Sequence, residues 1–147
     1  MLGDYCWFTE GTDFVIDEPA RRVFKHTLMT LRDYCNLREW GVGVSGRHPF
    51  NGDIPEKDVS AFARLALLGD LTGSGAGADP ELGGAYLALE GKAKELQAAL
   101  KQAGIKPLPA EEGFRVYDYG GFGIHRRGDW MLTLKGYNSD VSSTEIY

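Results

Sequence analysis

Pro107-Leu108-Pro109 separates two stretches of this sequence whose hydrophobic periods differ, and no single type of layer accommodates both. Before it, apolar residues recur at three- and four-residue spacings; after it they alternate. Two prolines flanking one residue stop a helix and cannot sit within a central strand, so the switch marks a joint. Helices first and strands second predict an α+β chain, with a helical region over 1–110 and a strand region over 111–147.

The helical region carries its own start and stop signals. Asp17 can cap a helix in which Glu18 suits the positive end and Pro19 is tolerated in the first turn. Phe24, Leu28, Leu31 and Cys35 draw its apolar face, widened by Val23, Met29 and Tyr34. The helix is predicted to fade near Trp40, with Gly41-Val42-Gly43 ending it. A second helix over about Glu56–Leu68 places Val59, Phe62, Ala63 and Ala66 on one side. Asp79-Pro80-Glu81 opens a third, with Leu82, Tyr86, Leu89, Ala93, Leu96 and Leu100 as its stripe. Gly91 marks a break in it and Gly104 its end. Leu2–Thr9 is apolar without a cap, which suits the tail of a helix. Gly69–Ala78 lacks the Gly-Lys-Ser/Thr ending of a phosphate loop and reads as a flexible surface connector.

Beyond the joint, Phe114 and Val116, then Phe122 and Ile124, suit short strands around Gly120-Gly121. Trp130, Leu132 and Leu134 alternate with Met131, Thr133 and Lys135, as a strand with one buried face requires. Arg127-Gly128-Asp129 is explained as a hairpin turn. A strand region this short cannot close a sheet and cover it. The uncapped opening and the unfinished sheet together predict an internal fragment of a longer protein.

Composition narrows the function classes. The 147 residues are 43% hydrophobic and 25% charged, within the range of ordinary globular chains. A net charge of -5 argues against a general nucleic-acid partner. No run approaches the ~18 apolar residues of a membrane span, and no signal-peptide pattern opens the chain. Cys6 and Cys35 lie among apolar residues and read as buried free thiols. No Cys/His spacing suits zinc, and no metal site is visible in the sequence.

The chemistry-bearing candidates lie in two places. Glycine, proline and asparagine dominate Gly41–Pro55, a stretch that follows an irregular path and displays Arg47 and His48 side by side. A guanidinium there can pair with a carboxylate or sulfate through its fork, or tie the loop to its own carbonyls. Glu145, read locally, is better explained as an exposed strand carboxylate than as a site residue. Trp7, Trp40 and Trp130 suit core positions better than sugar stacking. His26 sits at a stripe's edge and His125 within a strand, where structural roles serve. Tyr5 lacks the neighbours expected of a catalytic tyrosine.

Two blocks change the balance. Gly46-Arg47-His48-Pro49-Phe50-Asn51, and Gly121-Phe122-Gly123-Ile124-His125-Arg126 through Thr133-Leu134-Lys135 and Tyr137-Asn138 to Glu145-Ile146-Tyr147, resemble motifs of the chondroitin sulfate ABC lyases of polysaccharide lyase family 8. The resemblance implies the C-terminal part of an incomplete α/α toroid followed by the first strands of an antiparallel β-sandwich. It implies a monomer that cleaves chondroitin or dermatan sulfate, with hyaluronan as a further candidate, by β-elimination at a uronic acid, without cofactor. Arg47 and Glu145 then correspond to catalytic residues, and His48 and Asn51 to substrate-binding ones. The family's catalytic His and Tyr would lie before Met1, so the isolated chain is expected to be inactive. An anionic polysaccharide is the implied partner, with no nucleic acid or membrane, and export to a periplasm or beyond is the implied location. Two alternatives stay open: a non-catalytic carbohydrate-binding module, and a lyase for another uronate polymer.

Overall fold

The structure is a computed structural model and describes residues 2–40, 53–75, 77–137 and 139. Along the chain come α1 (Leu2–Thr9), α2 (Glu18–Asp33), a hairpin of β1 (Cys35–Asn36) and β2 (Glu39–Trp40), α3 (Glu56–Leu67), α4 (Pro80–Ala88) and α5 (Lys94–Gln102). Three strands follow: β3 (Gly113–Tyr117), β4 (Phe122–Arg127) and β5 (Trp130–Lys135). Helices and an antiparallel sheet make this an α+β chain. It divides into two units, Met1–Arg32 with Pro55–Ala110, and Asp33–Ile54 with Glu111–Tyr147.

α3 is the centre of the first unit. Val59, Phe62, Ala63, Leu65 and Ala66 are buried, and α1, α4 and α5 all pack on this helix. Small residues set the closest approach. A Cβ added at Gly3 would come within 2.7 Å of the Ala61 Cβ, so α1 and α3 touch where neither side chain extends. The third predicted helix is two. α4 stops at Ala88, Glu90 adopts φ 53°, and Gly91 passes directly against the buried Tyr86 ring before α5 begins. The Tyr86 hydroxyl donates to the Ala93 carbonyl at 3.2 Å and accepts from the Ala93 amide at 3.1 Å, closing this corner.

Both predicted caps are present. Asp17 Oδ1 accepts from the Ala20 amide at 2.9 Å, and Asp79 Oδ1 accepts from the Glu81 and Leu82 amides at 3.1 and 3.0 Å. Asp79 is fully buried, and its Oδ2 accepts from Lys25 Nζ at 2.8 Å and from the Leu71 amide at 3.1 Å. Burial pulls the Lys25 ammonium down, but its bonds to Asp79 and Glu81 outweigh that and raise its pKa.

The glycine-rich connector is a turn organised by one carboxylate. Asp70 accepts from the Thr72 amide and hydroxyl, the Ser74 hydroxyl and the Gly75 amide, at 2.6 to 2.9 Å. The Thr72 hydroxyl is the chief reason its carboxyl lies well below the usual range. A group depressed in the folded state stabilises above its ordinary pKa and loses that contribution as pH falls through its folded value. Amide exchange at Gly75 is therefore expected to accelerate as pH drops below about 4, once intrinsic exchange is corrected for, and Asp70→Asn should abolish that dependence. Equal protection of Gly75 at about pH 5 and about pH 2 would contradict the assignment.

The expectations for α2 need correction. α2 ends at Asp33 rather than near Trp40, and Cys35 belongs to a strand, not to a helix face. Leu37 at φ 53° turns the chain back, so that Cys35 pairs with Trp40 and Asn36 with Glu39. The predicted stop at 41–43 lies outside the described residues. Val23, expected on the apolar stripe, is exposed.

In the second unit β4 is the central strand, antiparallel to β3 and β5. Arg127 faces Trp130 across the Gly128-Asp129 turn, where Gly128 takes φ 54°. The expected burial of β5 is inverted. Trp130, Leu132 and Leu134, with Phe114 and Val116 of β3, form one face whose apolar side chains are 49% to 61% exposed. The opposite face presents Phe122, Ile124 and Arg126, and is covered by Tyr34 and Cys35.

Candidate functional site

Arg47, His48 and Asn51 fall within 41–52, and Glu145 within 140–147; all four lie outside the described residues. What the structure describes is the frame from which the first of these segments departs. Its outgoing end is β2 and its returning end is Asp53-Ile54. Glu39 pairs antiparallel with Asp53, and the Ile54 amide donates to the Arg38 carbonyl at 2.7 Å. The Arg38 guanidinium donates in turn to the Ile54 carbonyl at 3.0 Å, and Ile54 is fully buried. The residues on either side of 41–52, Arg38-Glu39 and Asp53-Ile54, thus form one closed stem.

Arg126 helps to fasten the stem to the sheet. Arg126 of β4 is 8% exposed and donates through Nη2 to the Cys35 carbonyl at 2.7 Å and the Asp33 carbonyl at 3.3 Å. The same nitrogen lies 3.1 Å from the Met131 sulfur. Carbonyls at the end of α2 have no partners within the helix, and a guanidinium is well suited to take them. Around this junction the Tyr117 hydroxyl donates to Asp33 Oδ2 at 2.9 Å, and Arg115 lies 3.8 Å from Asp33 Oδ1. Tyr34 meets the rings of Tyr117 and Phe122 edge-on, with centroids 4.7 and 5.4 Å apart.

The electrostatics suit a structural pin rather than a proton-transfer centre. Burial, then the Asp33 carboxylate, drives the Tyr117 phenol up, away from any role as a base near neutrality. Burial also pushes the Cys35 thiol from 9.0 up to about 12, against the attraction of Arg126. A group raised in the folded state contributes fully below its unfolded pKa and ceases to do so as pH rises through its folded one. The second unit should therefore lose stability progressively between about pH 9 and pH 12. Cys35→Ala should flatten part of that slope in denaturant titrations; an unchanged slope would remove Cys35 as its source.

Other candidates resolve simply. Cys6 and Cys35 are both buried, and neither is in a disulfide. The Tyr5 hydroxyl donates to the Phe14 carbonyl at 2.9 Å, and His26 is exposed on α2. His125 meets Phe114 and Trp130 edge-on, with centroids at 6.4 and 5.3 Å, on the exposed apolar face. Arg126 was missed as a functional candidate. The signal was available: Phe122, Ile124 and Arg126 lie two apart on one strand, so they share a face.

A family model described as "Lyase, catalytic" matches residues 2–95. The chain belongs to this lyase family. The chondroitin sulfate ABC endolyase of Proteus vulgaris is 33% identical over 141 residues, which are 96% of this chain and 13% of the endolyase. The chondroitin sulfate ABC exolyase of Bacteroides thetaiotaomicron is 26% identical over 156 residues, covering 92% of this chain and 15% of the exolyase. The resemblance to chondroitin sulfate ABC lyases thus holds over nearly the whole lyase chain. That chain spans 13% and 15% of the length of these two relatives.

Proposed function

We propose that this chain is a portion of a glycosaminoglycan lyase that cleaves chondroitin or dermatan sulfate, and hyaluronan as a further substrate, by β-elimination. The observation that carries the reading is similarity over 96% of the chain to an endolyase and over 92% to an exolyase of chondroitin sulfate. The reaction removes the C5 proton of a uronic acid and expels the C4 glycosidic oxygen. That proton becomes acidic enough when the neighbouring carboxylate is neutralised, and Arg47 is the residue proposed to do this. Glu145 would orient the guanidinium through a charge-assisted hydrogen bond, and His48 and Asn51 would hold the sugar. A tyrosine and a histidine for proton transfer are proposed to lie in other parts of the protein.

The architecture proposed is the end of an α/α toroid over 1–110 leading into a β-sandwich from 111. The exposed apolar face of β3 and β5 supports this, because a sheet with such a face requires a second layer. A monomeric, exported protein acting on an anionic polysaccharide completes the proposal.

The test is the absorbance of the unsaturated uronate product. The full-length protein is expected to release it from chondroitin sulfate, and Arg47→Ala to lower kcat about a hundredfold, as loss of one charge-stabilising donor does. The 147-residue chain by itself is expected to release none. Saturable binding without cleavage by the full-length protein would turn the reading toward a binding module. Product from another uronate polymer but not from chondroitin sulfate would keep the chemistry and change the substrate.

A further inference from the structure

The sheet face that carries Trp130, Leu132 and Leu134 is not apolar throughout. Its central strand β4 contributes Gly123, His125 and Arg127 to that face, so the strand best placed to meet a covering layer supplies no apolar side chain. The two ends of the face differ. At one end Val116 and Leu134 flank Gly123, and nothing polar intervenes. Towards the hairpin turn, the His125 imidazole is met by the Phe114 ring at 88° and by the Trp130 ring at 66°. Arg127 pairs with Trp130 across the turn and is exposed, and its side chain makes no hydrogen bond or ion pair among the described residues. The carboxylates at this end are Asp129, in the turn, and Glu112, whose Oε1 accepts from the Gly128 amide at 3.0 Å. A second layer laid over this end would bury a guanidinium and an imidazole without partners, which is strongly unfavourable. Such a layer suits the Val116 and Leu134 end and stops short of Arg127.

We propose that Trp130, His125 and Arg127 form a subsite for one acidic sugar residue of the polysaccharide. This rests on the glycosaminoglycan-lyase reading and adds to it a contact on the sheet. Trp130, expected from the sequence to be a core residue, is half-exposed and offers its ring to the C–H face of a sugar. The Arg127 fork suits a sulfate or a carboxylate on that sugar. His125 carries a donor and an acceptor for its hydroxyls when neutral. An apolar partner would satisfy Trp130 and Phe114 but leave both polar side chains desolvated; an acidic sugar satisfies all of them. Three side chains from neighbouring positions of one hairpin are thus matched to one ligand chemistry.

The experiment uses the full-length lyase and reads the unsaturated product from chondroitin sulfate and from unsulfated chondroitin. Trp130→Ala is expected to raise KM about fivefold on both polymers, the loss falling on KM rather than on kcat, with a cooperative melting transition retained. Trp130→Phe should recover most of that loss, because a ring is restored. Arg127→Gln should also raise KM about fivefold, and should flatten the rise of KM with salt. A loss confined to the sulfated polymer identifies sulfate as the group held; an equal loss on both identifies the carboxylate. Wild-type KM in both Trp130→Ala and Arg127→Gln would overturn the proposal. Loss of the cooperative transition in Trp130→Ala would overturn it too, since the ring would then lie beneath a covering layer. Failure of the lyase reading is separable: there the wild-type protein releases no unsaturated product from either polymer. Calorimetry with sulfated chondroitin oligosaccharides then still decides the subsite, by whether Arg127→Gln weakens their binding.

Discussion

Asp79→Ala is expected to destabilise the protein by about 3–4 kcal/mol, measured by urea unfolding at neutral pH. Its fully buried carboxylate accepts four hydrogen bonds, two from the first turn of α4, one from Leu71 and one from Lys25. Alanine leaves the amides of Leu71, Glu81 and Leu82 without this acceptor. Loss of an N-cap alone costs ~1 kcal/mol, and each buried unsatisfied donor adds about 1–3 kcal/mol. Lys25 softens the loss, because Glu81 stays within 2.5 Å of its ammonium and keeps the charge paired. Asp79→Asn retains the Oδ1 acceptor for the cap and should cost roughly half as much. A loss below about 1 kcal/mol for the alanine variant would show that water replaces the carboxylate readily.

Gly91→Ala should cost about 3 kcal/mol, the upper end of overpacking in a filled core. Its added Cβ would lie 1.9 Å from Tyr86 Cε2 and 2.1 Å from Cζ. The ring cannot swing aside at small cost, since it is fully buried and its hydroxyl closes the corner with both polar atoms of Ala93. Tyr86→Ala should cost about 3–5 kcal/mol through the cavity it leaves. The double variant is the sharper test. The methyl at 91 enters the space the ring vacates, so the double variant should lose less than the sum of the two single losses, by more than about 1 kcal/mol. Additive losses would mean that the corner rearranges without reference to the ring.

Features encoded within a few residues were legible in the sequence. Asp17 and Asp79 announce their helices, Gly91 announces the break between α4 and α5, and Gly128 marks the turn between β4 and β5, because each acts on its own neighbours. The end of α2 was not legible in that way. Phe24, Leu28, Leu31 and Cys35 keep helical spacing, but the carbonyls of Asp33 and Cys35 are taken by Arg126, more than ninety residues on. The buried face of the sheet was misassigned for a related reason. Trp130, Leu132 and Leu134 are the apolar choice, yet the face that Tyr34 and Cys35 cover also carries Arg126, and hydrophobicity alone ranks it second. Arg47, His48, Asn51 and Glu145 have no local signal that separates catalysis from loop anchoring or exposure. Only the likeness of two ordered blocks to a lyase family picked them out.

The bond from Arg126 to Cys35 spans 91 residues, and this separation has a consequence for biosynthesis. The second unit is discontinuous: Asp33–Ile54 and Glu111–Tyr147 are separated by all of α3, α4 and α5. During translation at about 5–20 residues per second, the hairpin leaves the ribosome several seconds before β4 exists to receive it. The helices between them can assemble in that interval, since their contacts lie within their own unit. A slow stretch of codons between residues 55 and 110 would lengthen the wait of the unpaired hairpin and raise its exposure to chaperones and proteases.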